Sequence, residues 1–378
     1  MIAPLPLAGT LVLDVSRMLP GAVLTRALVD LGARVVKVED PHSGDPMRVT
    51  PPMAGGTGAG FLTFFRGTES VAIDLKSHAG SAALRKMARH ADVLVESFRP
   101  GTLERWDLGY DRLAAQSPGL VVVSMSSFGT EGADASRIGH DLNFTAVTGF
   151  LSELPKGGLP RVQAADVGAG LLALSATLAS LLQRARTGRG AHVEQPLVTG
   201  PLPFLTWSFA ELGAGGGGVL DGLLAGKSPG YRTYVSSDGL EMALGALEPK
   251  FWAVLCEMAG IPEHAGDGLD TGSAGADAAA RLATVFASRP RADWLALADA
   301  LGIPLTPVND LAAARAELPG FMERTSVPGG GVIPTPAAFL GLPGLRRPLT
   351  PAPALGADTA RVLHELGFTK DEIAAVAG

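Results

Sequence analysis

Through the first third of this chain, short apolar segments alternate with amphipathic ones, and no other feature constrains the fold as strongly. Residues 10–15 and 34–38 read as strands, with a helical segment at 21–31 between them and Gly32 as its stop. A helical connection of that size excludes a hairpin, so the two strands pair in parallel. The pattern continues with a strand at 70–74, a helix at 77–89 and a strand at 92–96. Residues 119–125 form the most apolar strand, of the kind buried on both faces. This succession predicts an α/β fold built on a large doubly wound, Rossmann-like parallel sheet. Ligands of such sheets bind beyond the carboxyl ends of the strands, here segments 39–48, 96–105 and 126–141.

The middle of the chain changes character. His192-Val193-Glu194 offers one more strand, Pro196, Pro201 and Pro203 keep the next stretch irregular, and 204–212 is helical again. The run from Gly213 to Gly218 then breaks regular structure. Segments 231–235 and 240–244 alternate like paired strands around Ser237-Asp238-Gly239, and helices follow at 276–287 and 291–301. The tail is proline-rich from Pro328 to Pro353 and ends in helices, one at 358–366 and one capped by Thr369 with Glu372 three residues on. The expected organisation is a large domain beginning with 1–200, a glycine-rich linker at 201–224, a smaller α+β domain at 225–325, and a return linker with C-terminal helices at 326–378 completing the large domain.

Composition narrows the function. A chain of 378 residues is long enough for two domains. A net charge of −6 argues against a nucleic-acid binder but leaves room for a local arginine cluster on an anionic ligand. The single cysteine, Cys256, allows neither an internal disulfide nor a thiolate metal cluster and reads as a buried, reduced thiol, so no metal site is expected. The N-terminus lacks the charged and apolar regions of a signal peptide. The longest apolar helix, around 171–182, is taken as about 12–16 residues, short of the roughly 20 needed to span a bilayer. The expectation is a soluble, cytoplasmic protein with no membrane partner.

Chemistry concentrates in Gly139-His140-Asp141-Leu142-Asn143-Phe144 and in Asp166, which lies 26 residues after the histidine. An imidazole and a carboxylate facing one substrate carbon are what proton removal and return require. Each residue also has a structural alternative. Asp166 and Asp141 each precede a helix and suit N-caps, and His140 suits a hydrogen-bonded core position. Glu248 opens a helix with Pro249 at its first position. Arg99 and Arg105 are either surface ion-pair partners or, at the carboxyl end of a parallel strand, anion ligands. The glycine run has no Gly-Lys-Ser/Thr after it, and no Gly-x-Gly-x-x-Gly follows the first strand, which removes the phosphate-loop reading and weakens the dinucleotide one.

Taken in order, residues 7–14, 28–39, 44–48, 73–76, 92–101, 139–144, 187–190 and 246–251 resemble the family III CoA-transferase superfamily over nearly the whole chain. The resemblance implies an enzyme acting on acyl-CoA thioesters, with coenzyme A as part of the substrate and no covalently bound cofactor. It also implies an interlocked homodimer, with the site between one chain's large domain and its partner's small domain. Transferases of the superfamily use the aspartate matching Asp166 as a nucleophile; racemases pair it with the histidine matching His140. Gly-His-Asp followed by Asn143-Phe144 without a nearby glutamine, and Leu247-Glu248-Pro249-Lys250-Phe251-Trp252, resemble the racemase branch. The expected reaction is therefore inversion at the α-carbon of a 2-methylacyl-CoA through an enolate. CoA transfer through Asp166 is the alternative, and a non-catalytic acyl-CoA-binding homologue a further one. The resemblance gives His140 and Asp166 the acid–base roles and Glu248 the orientation of His140. It puts Arg99, Arg105, Lys37 and Asp141 on CoA, and the backbone N–H groups near Gly168 and Gly170 on the enolate oxygen. Thr68 and Glu69 stand where relatives carry two basic residues, which predicts weaker or altered contact with the nucleotide.

Overall fold

The computed structural model describes residues 4–154, 158–220, 222–338, 340–342 and 344–377. Among them, six parallel strands make one sheet: β1 (Leu11–Asp14), β2 (Arg34–Glu39), β3 (Glu69–Ala72), β4 (Val93–Glu96), β5 (Val121–Ser126) and β6 (His192–Pro196). Their spatial order is 3-2-1-4-5-6, so the winding reverses between β1 and β4. Helices α1 (Met18–Asp30), α2 (His78–Ala88), α3 (Asp141–Val147) and α4 (Ala164–Thr187) lie in the crossovers. Because side chains alternate along a strand, each strand feeds two cores. Val12, Val35, Val95 and Val123 pack on Leu24 and Leu28 of α1 and on Ala169 and Ala173 of α4. Leu13, Val36, Leu94 and Val122 face the other way, toward Leu84 and Met87 of α2.

Helix α4 has 24 residues, not the dozen or so expected. Its length and composition would suit a membrane span. In this fold Ala165, Gly168, Ala169, Ala173 and Leu174 are buried instead. The glycines near its start are contact points. A Cβ on Gly168 would stand 2.3 Å from the Gly200 carbonyl oxygen, and one on Gly170 would stand 2.8 Å from Val23 Cβ.

The chain divides into two units, Met1–Phe204 with Gly320–Gly378, and Leu205–Pro319. Helix α5 (Leu202–Gly213) runs through the first division, so much of the expected linker is helical. The glycines after it turn the chain, with φ of 103°, 77° and 73° at Gly215, Gly216 and Gly217. In the second unit β7 (Tyr231–Val235) and β8 (Glu241–Gly245) form the expected hairpin, joined by β9 (Leu305–Pro307). Helices α6 (Pro249–Ala259), α7 (Ser273–Phe286) and α8 (Arg291–Leu301) close its core on Trp252, Cys256, Phe286 and Trp294.

The proline-rich return holds a hairpin that the sequence did not signal, β10 (Met322–Ser326) with β11 (Val332–Pro336). Its Glu323 accepts from Arg26 at 2.9 Å and from Arg66, two buried arginines of the larger unit. The chain then reaches the outer edge of β3. There Asp358 Oδ2 accepts the Ser70 N–H (2.9 Å) and Thr359 Oγ1 the Ala72 N–H (3.0 Å). Helix α9 (Thr359–Glu365) packs Val362 and Leu363 into the α2 core, and α10 (Lys370–Ala377) starts on the predicted Thr369–Glu372 capping box. Glu69 opens β3, at the end of the strand opposite its carboxyl terminus, and pairs with Arg34 (2.9 Å) and Arg361 (3.0 Å). Thr68 is buried and donates to the Phe65 carbonyl (2.7 Å). Both residues that depart from the family pattern thus have structural partners here.

The packing of Gly168 gives a direct test. Gly168→Ala should lower stability by about 1–3 kcal/mol in urea unfolding, because the backbone facing it cannot step aside. Gly213→Ala, with nothing within 4 Å of the added Cβ, should leave the midpoint unchanged or slightly raised.

Candidate functional site

The site begins at the winding reversal. Asp14, the last residue of β1, is fully buried and accepts from the Ser16 N–H (2.8 Å), the Ser16 hydroxyl (2.5 Å) and the Thr25 hydroxyl (2.7 Å). Lys37 of β2 lies 3.5 Å from Asp14 and 3.2 Å from Asp45, and donates to the Ser16 carbonyl. Burial by itself lowers the pKa of this ammonium, but Asp14, Asp45 and Glu39 outweigh burial and hold it above its ordinary value. Its side chain is 1% exposed. The expected contact of Lys37 with a phosphate is therefore corrected: it is a strut inside the crevice wall. The chain leaves this cluster through Arg17, whose N–H donates to Ser97 Oγ (2.8 Å) and stitches the ends of β1 and β4 together. Met18 follows with φ of 64°, a strained backbone for a side chain of this kind.

Beyond these strand ends opens a cleft of about 1060 Å³ within the larger unit. Met18, Pro20, Met47, Met125, Phe144 and Leu197 give it an apolar wall. Arg17, Arg99 and Arg137 bring positive charge, and His140 and Asp166 line the same space. His140 is exposed at the N-cap of α3, so the core-histidine alternative is removed. Its backbone N–H is held by Asn143 Oδ1 at 3.0 Å, which fixes the turn that presents the ring.

Asp166 stands in the first turn of α4, half-buried, with no hydrogen bond to its carboxyl among the described residues. The helix is capped from outside. Asp141 Oδ1 accepts the N–H of Ala165 (2.8 Å) and of Asp166 (3.0 Å), so the carboxylate expected on CoA neutralises the positive end of α4 instead. The Val167 N–H is taken by the Gln163 carbonyl (3.0 Å). The N–H groups of Gly168 and Gly170 lie past the free first turn and point into the helix ladder. Neither glycine can serve an enolate oxygen, which corrects that expectation; both are there for close packing. With the local dipole already met by Asp141, burial first and then repulsion from Asp141 push the Asp166 carboxyl up to about 7.

The other expected residues divide. Arg99 is exposed at the cleft rim and has no ion pair among the described residues. Arg105 is exposed one helical turn on, donates to Thr102 Oγ1 (2.8 Å), and is not among the cleft-lining residues. Glu248 belongs to the second unit, exposed at the N-cap of α6 with Pro249 at the first helical position. Arg17 and Arg137 escaped the sequence reading. Arg17 could have been found from its place just past the carboxyl end of β1. Arg137, 4.4 Å over the Phe128 ring, lies in the segment 126–141 expected to face ligand but was not singled out within it.

Comparison with known proteins agrees with this geometry. Residues 7–359 match the family described as CoA-transferase family III. An alpha-methylacyl-CoA racemase of Mus musculus is 31% identical over 380 residues, covering 97% of this chain and 95% of the racemase. A succinyl-CoA:glutarate CoA-transferase of the same species is 30% identical over 377 residues, covering 96% and 86%. The crystal structure of a CaiB/BaiF family protein from Brucella suis superposes with a TM-score of 0.82 at 28% identity, covering 96% of this chain and all of that one.

The raised pKa of Asp166 has a sign that can be measured. A carboxyl raised on folding from 3.8 to about 7 binds its proton more tightly in the folded chain. It therefore favours folding at low pH and loses that contribution as pH rises through about 7. Asp166→Asn removes the penalty, so the melting temperature of the variant minus that of wild type should grow from about pH 5 to about pH 8. A growth of a few degrees corresponds to roughly 2–4 °C per kcal/mol. A pH-independent difference would show that Asp166 titrates normally.

Proposed function

Since the chain belongs to CoA-transferase family III and is an enzyme of that family, racemase or CoA-transferase, we propose that it is a racemase acting at the α-carbon of a 2-methylacyl-CoA. The observation that carries the reading is that His140 and Asp166 line one apolar cleft, the carboxyl poised near 7. A thioester α-proton is weakly acidic, and its removal needs a base on one side and an acid on the other. In one direction neutral His140 takes the α-proton, leaving an enolate, and protonated Asp166 delivers its proton to the opposite face. In the other direction ionised Asp166 is the base and the imidazolium the acid. A carboxyl titrating near 7 supplies both forms at neutral pH. The donors of α4 are consumed by Asp141 and Gln163, so the enolate oxygen draws on side chains of the cleft, where Arg17 and Arg137 carry positive charge. Arg99 at the rim is the proposed partner of a CoA phosphate.

The same Asp166, its carboxyl partly desolvated and without a hydrogen-bond partner among the described residues, also suits a nucleophile that would attack the thioester carbonyl, as a CoA-transferase requires. The two reactions separate in D₂O. A racemase incorporates deuterium at the α-carbon of a 2-methylacyl-CoA without any acceptor acid; a transferase makes a new thioester only when an acceptor is present. His140→Ala should lose exchange from at least one enantiomer by about 10²–10⁴-fold. Undiminished transfer in that variant, with an acyl or CoA adduct trapped on Asp166, would overturn the racemase reading. Asp166→Ala should abolish either reaction while the protein remains folded.

CoA affinity supplies an independent check. Arg99→Ala should weaken CoA binding about tenfold or more, as expected for loss of a charge-assisted contact of about 1.5–3 kcal/mol, and less at high salt. Arg105→Ala, outside the cleft lining, should have the smaller effect. Equal affinity of both variants and wild type would remove the arginines from the phosphate site. We also propose a homodimer, which light scattering should report as twice the chain mass of 38.7 kDa.

A further inference from the structure

We infer that Glu96 is a positioning residue: its buried carboxyl, at the end of β4, holds the Phe98 amide and so fixes the Ser97–Arg99 loop at the rim of the cleft. Glu96 ends β4, and its register partners are Ser124 of β5 and, beyond it, Glu194 of β6. Leu94 and Val122, two residues earlier on the same face, are core. The apolar face thus ends in a polar rung. Glu96 is only 7% exposed. Its Oε2 accepts the Phe98 N–H at 2.7 Å, and Ser124 and His192 of the next two strands line the same cavity. Ser124 Oγ lies 2.9 Å from His192 Nε2, and the His192 ring stacks on Tyr110 at 4.6 Å and 12°.

A buried carboxylate is costly without a cationic partner, and Glu96 has none among the described residues. What it does is hold the loop that walls the cleft. Phe98 carries Arg17 over its ring at 5.6 Å and meets Trp106 edge-on at 5.0 Å. Arg99 lines both the cleft and a separate cavity of about 270 Å³ behind the loop, whose floor includes Glu96. A slack Phe98 amide would let the Arg99 guanidinium drift between the two.

Burial first pushes the Glu96 carboxyl up to about 7, against the favourable influence of Ser124 and of the Phe98 N–H, with Glu104 adding to the rise. The remaining groups around the cavity are Glu131, Glu194, His192, Tyr110 and Arg99. An ionised Glu96 grips the Phe98 amide more strongly than a neutral one, so the loop is held more firmly above pH 7 than below it.

The test uses the full chain and reads the loop first. Amide hydrogen exchange at Phe98, corrected for intrinsic rates, should be about tenfold faster in Glu96→Ala and within about threefold of wild type in Glu96→Gln, whose side-chain oxygen still accepts. Wild-type protection relative to Glu96→Gln should fall as pH drops through about 7. Unchanged Phe98 exchange in Glu96→Ala overturns the inference. The consequence for substrate rests on the acyl-CoA reading: Glu96→Ala should raise KM about tenfold with kcat within about threefold. Failure of the wild type to bind CoA would sink that reading alone, because the exchange result stands without it. Wild-type KM in a Glu96→Ala chain whose loop is slack would show that the loop does not serve the substrate.

Discussion

The larger unit is organised around a buried ammonium between two buried carboxylates. Lys37 with Asp14 and Asp45 joins β1, β2 and the loop after β2 at the point where the winding of the sheet reverses. Three charges withdrawn from water are tolerated only as a set, since removal of one leaves the others uncompensated at a cost of about 3–5 kcal/mol. The set therefore specifies geometry more than it adds stability. It settles where β1 ends and holds Ser16 inward, just before Arg17 and the left-handed Met18 that starts α1. The cleft opens where the chain has no freedom left.

A second constraint works on charge. A helix N-terminus is ordinarily a place to receive an anion, and α4 begins beside the cleft with that capacity already filled by Asp141. The same carboxylate repels Asp166. One residue thus removes the positive end of the helix from the cleft and raises the pKa of the neighbouring acid. The cleft becomes polarised along its length: apolar and proton-rich around Asp166, positive at the Arg99 rim.

The sheet and its parallel sense were legible because strand periodicity and crossover length are local properties, and even His192-Val193-Glu194 showed its place. The small hairpin around Ser237-Asp238-Gly239 and the Thr369–Glu372 cap were equally plain. What escaped depends on partners distant in sequence. Gly168 looks like a donor site for the enolate oxygen until Gly200 is beside it, and Asp141 looks like the cap of its own helix until α4 arrives 23 residues later. Lys37 reads as a phosphate ligand for its charge and its place in the family pattern; only the three-dimensional contact with Asp45 shows that the charge is spent. The hairpin of residues 322–336 lay inside a proline-rich stretch, where Pro334 and Pro336 stand on a two-stranded ribbon that tolerates missing donors. His140 and Asp166 themselves were found because the chemistry needs both types together.

The junction between β3 and the C-terminal segment reaches beyond catalysis. β3 is the outermost strand of the large sheet, and its outward amides at Ser70 and Ala72 are closed by Asp358 and Thr359, residues almost three hundred positions later. Until those residues have been synthesised and docked, the sheet presents a bare edge flanked by an apolar core. Such an edge is a template for another strand, including the same strand of a neighbouring chain. The segment that carries Asp358 and Thr359 therefore acts as a seal against self-association. A nascent or C-terminally trimmed chain is exposed to aggregation through β3, whatever the condition of its cleft.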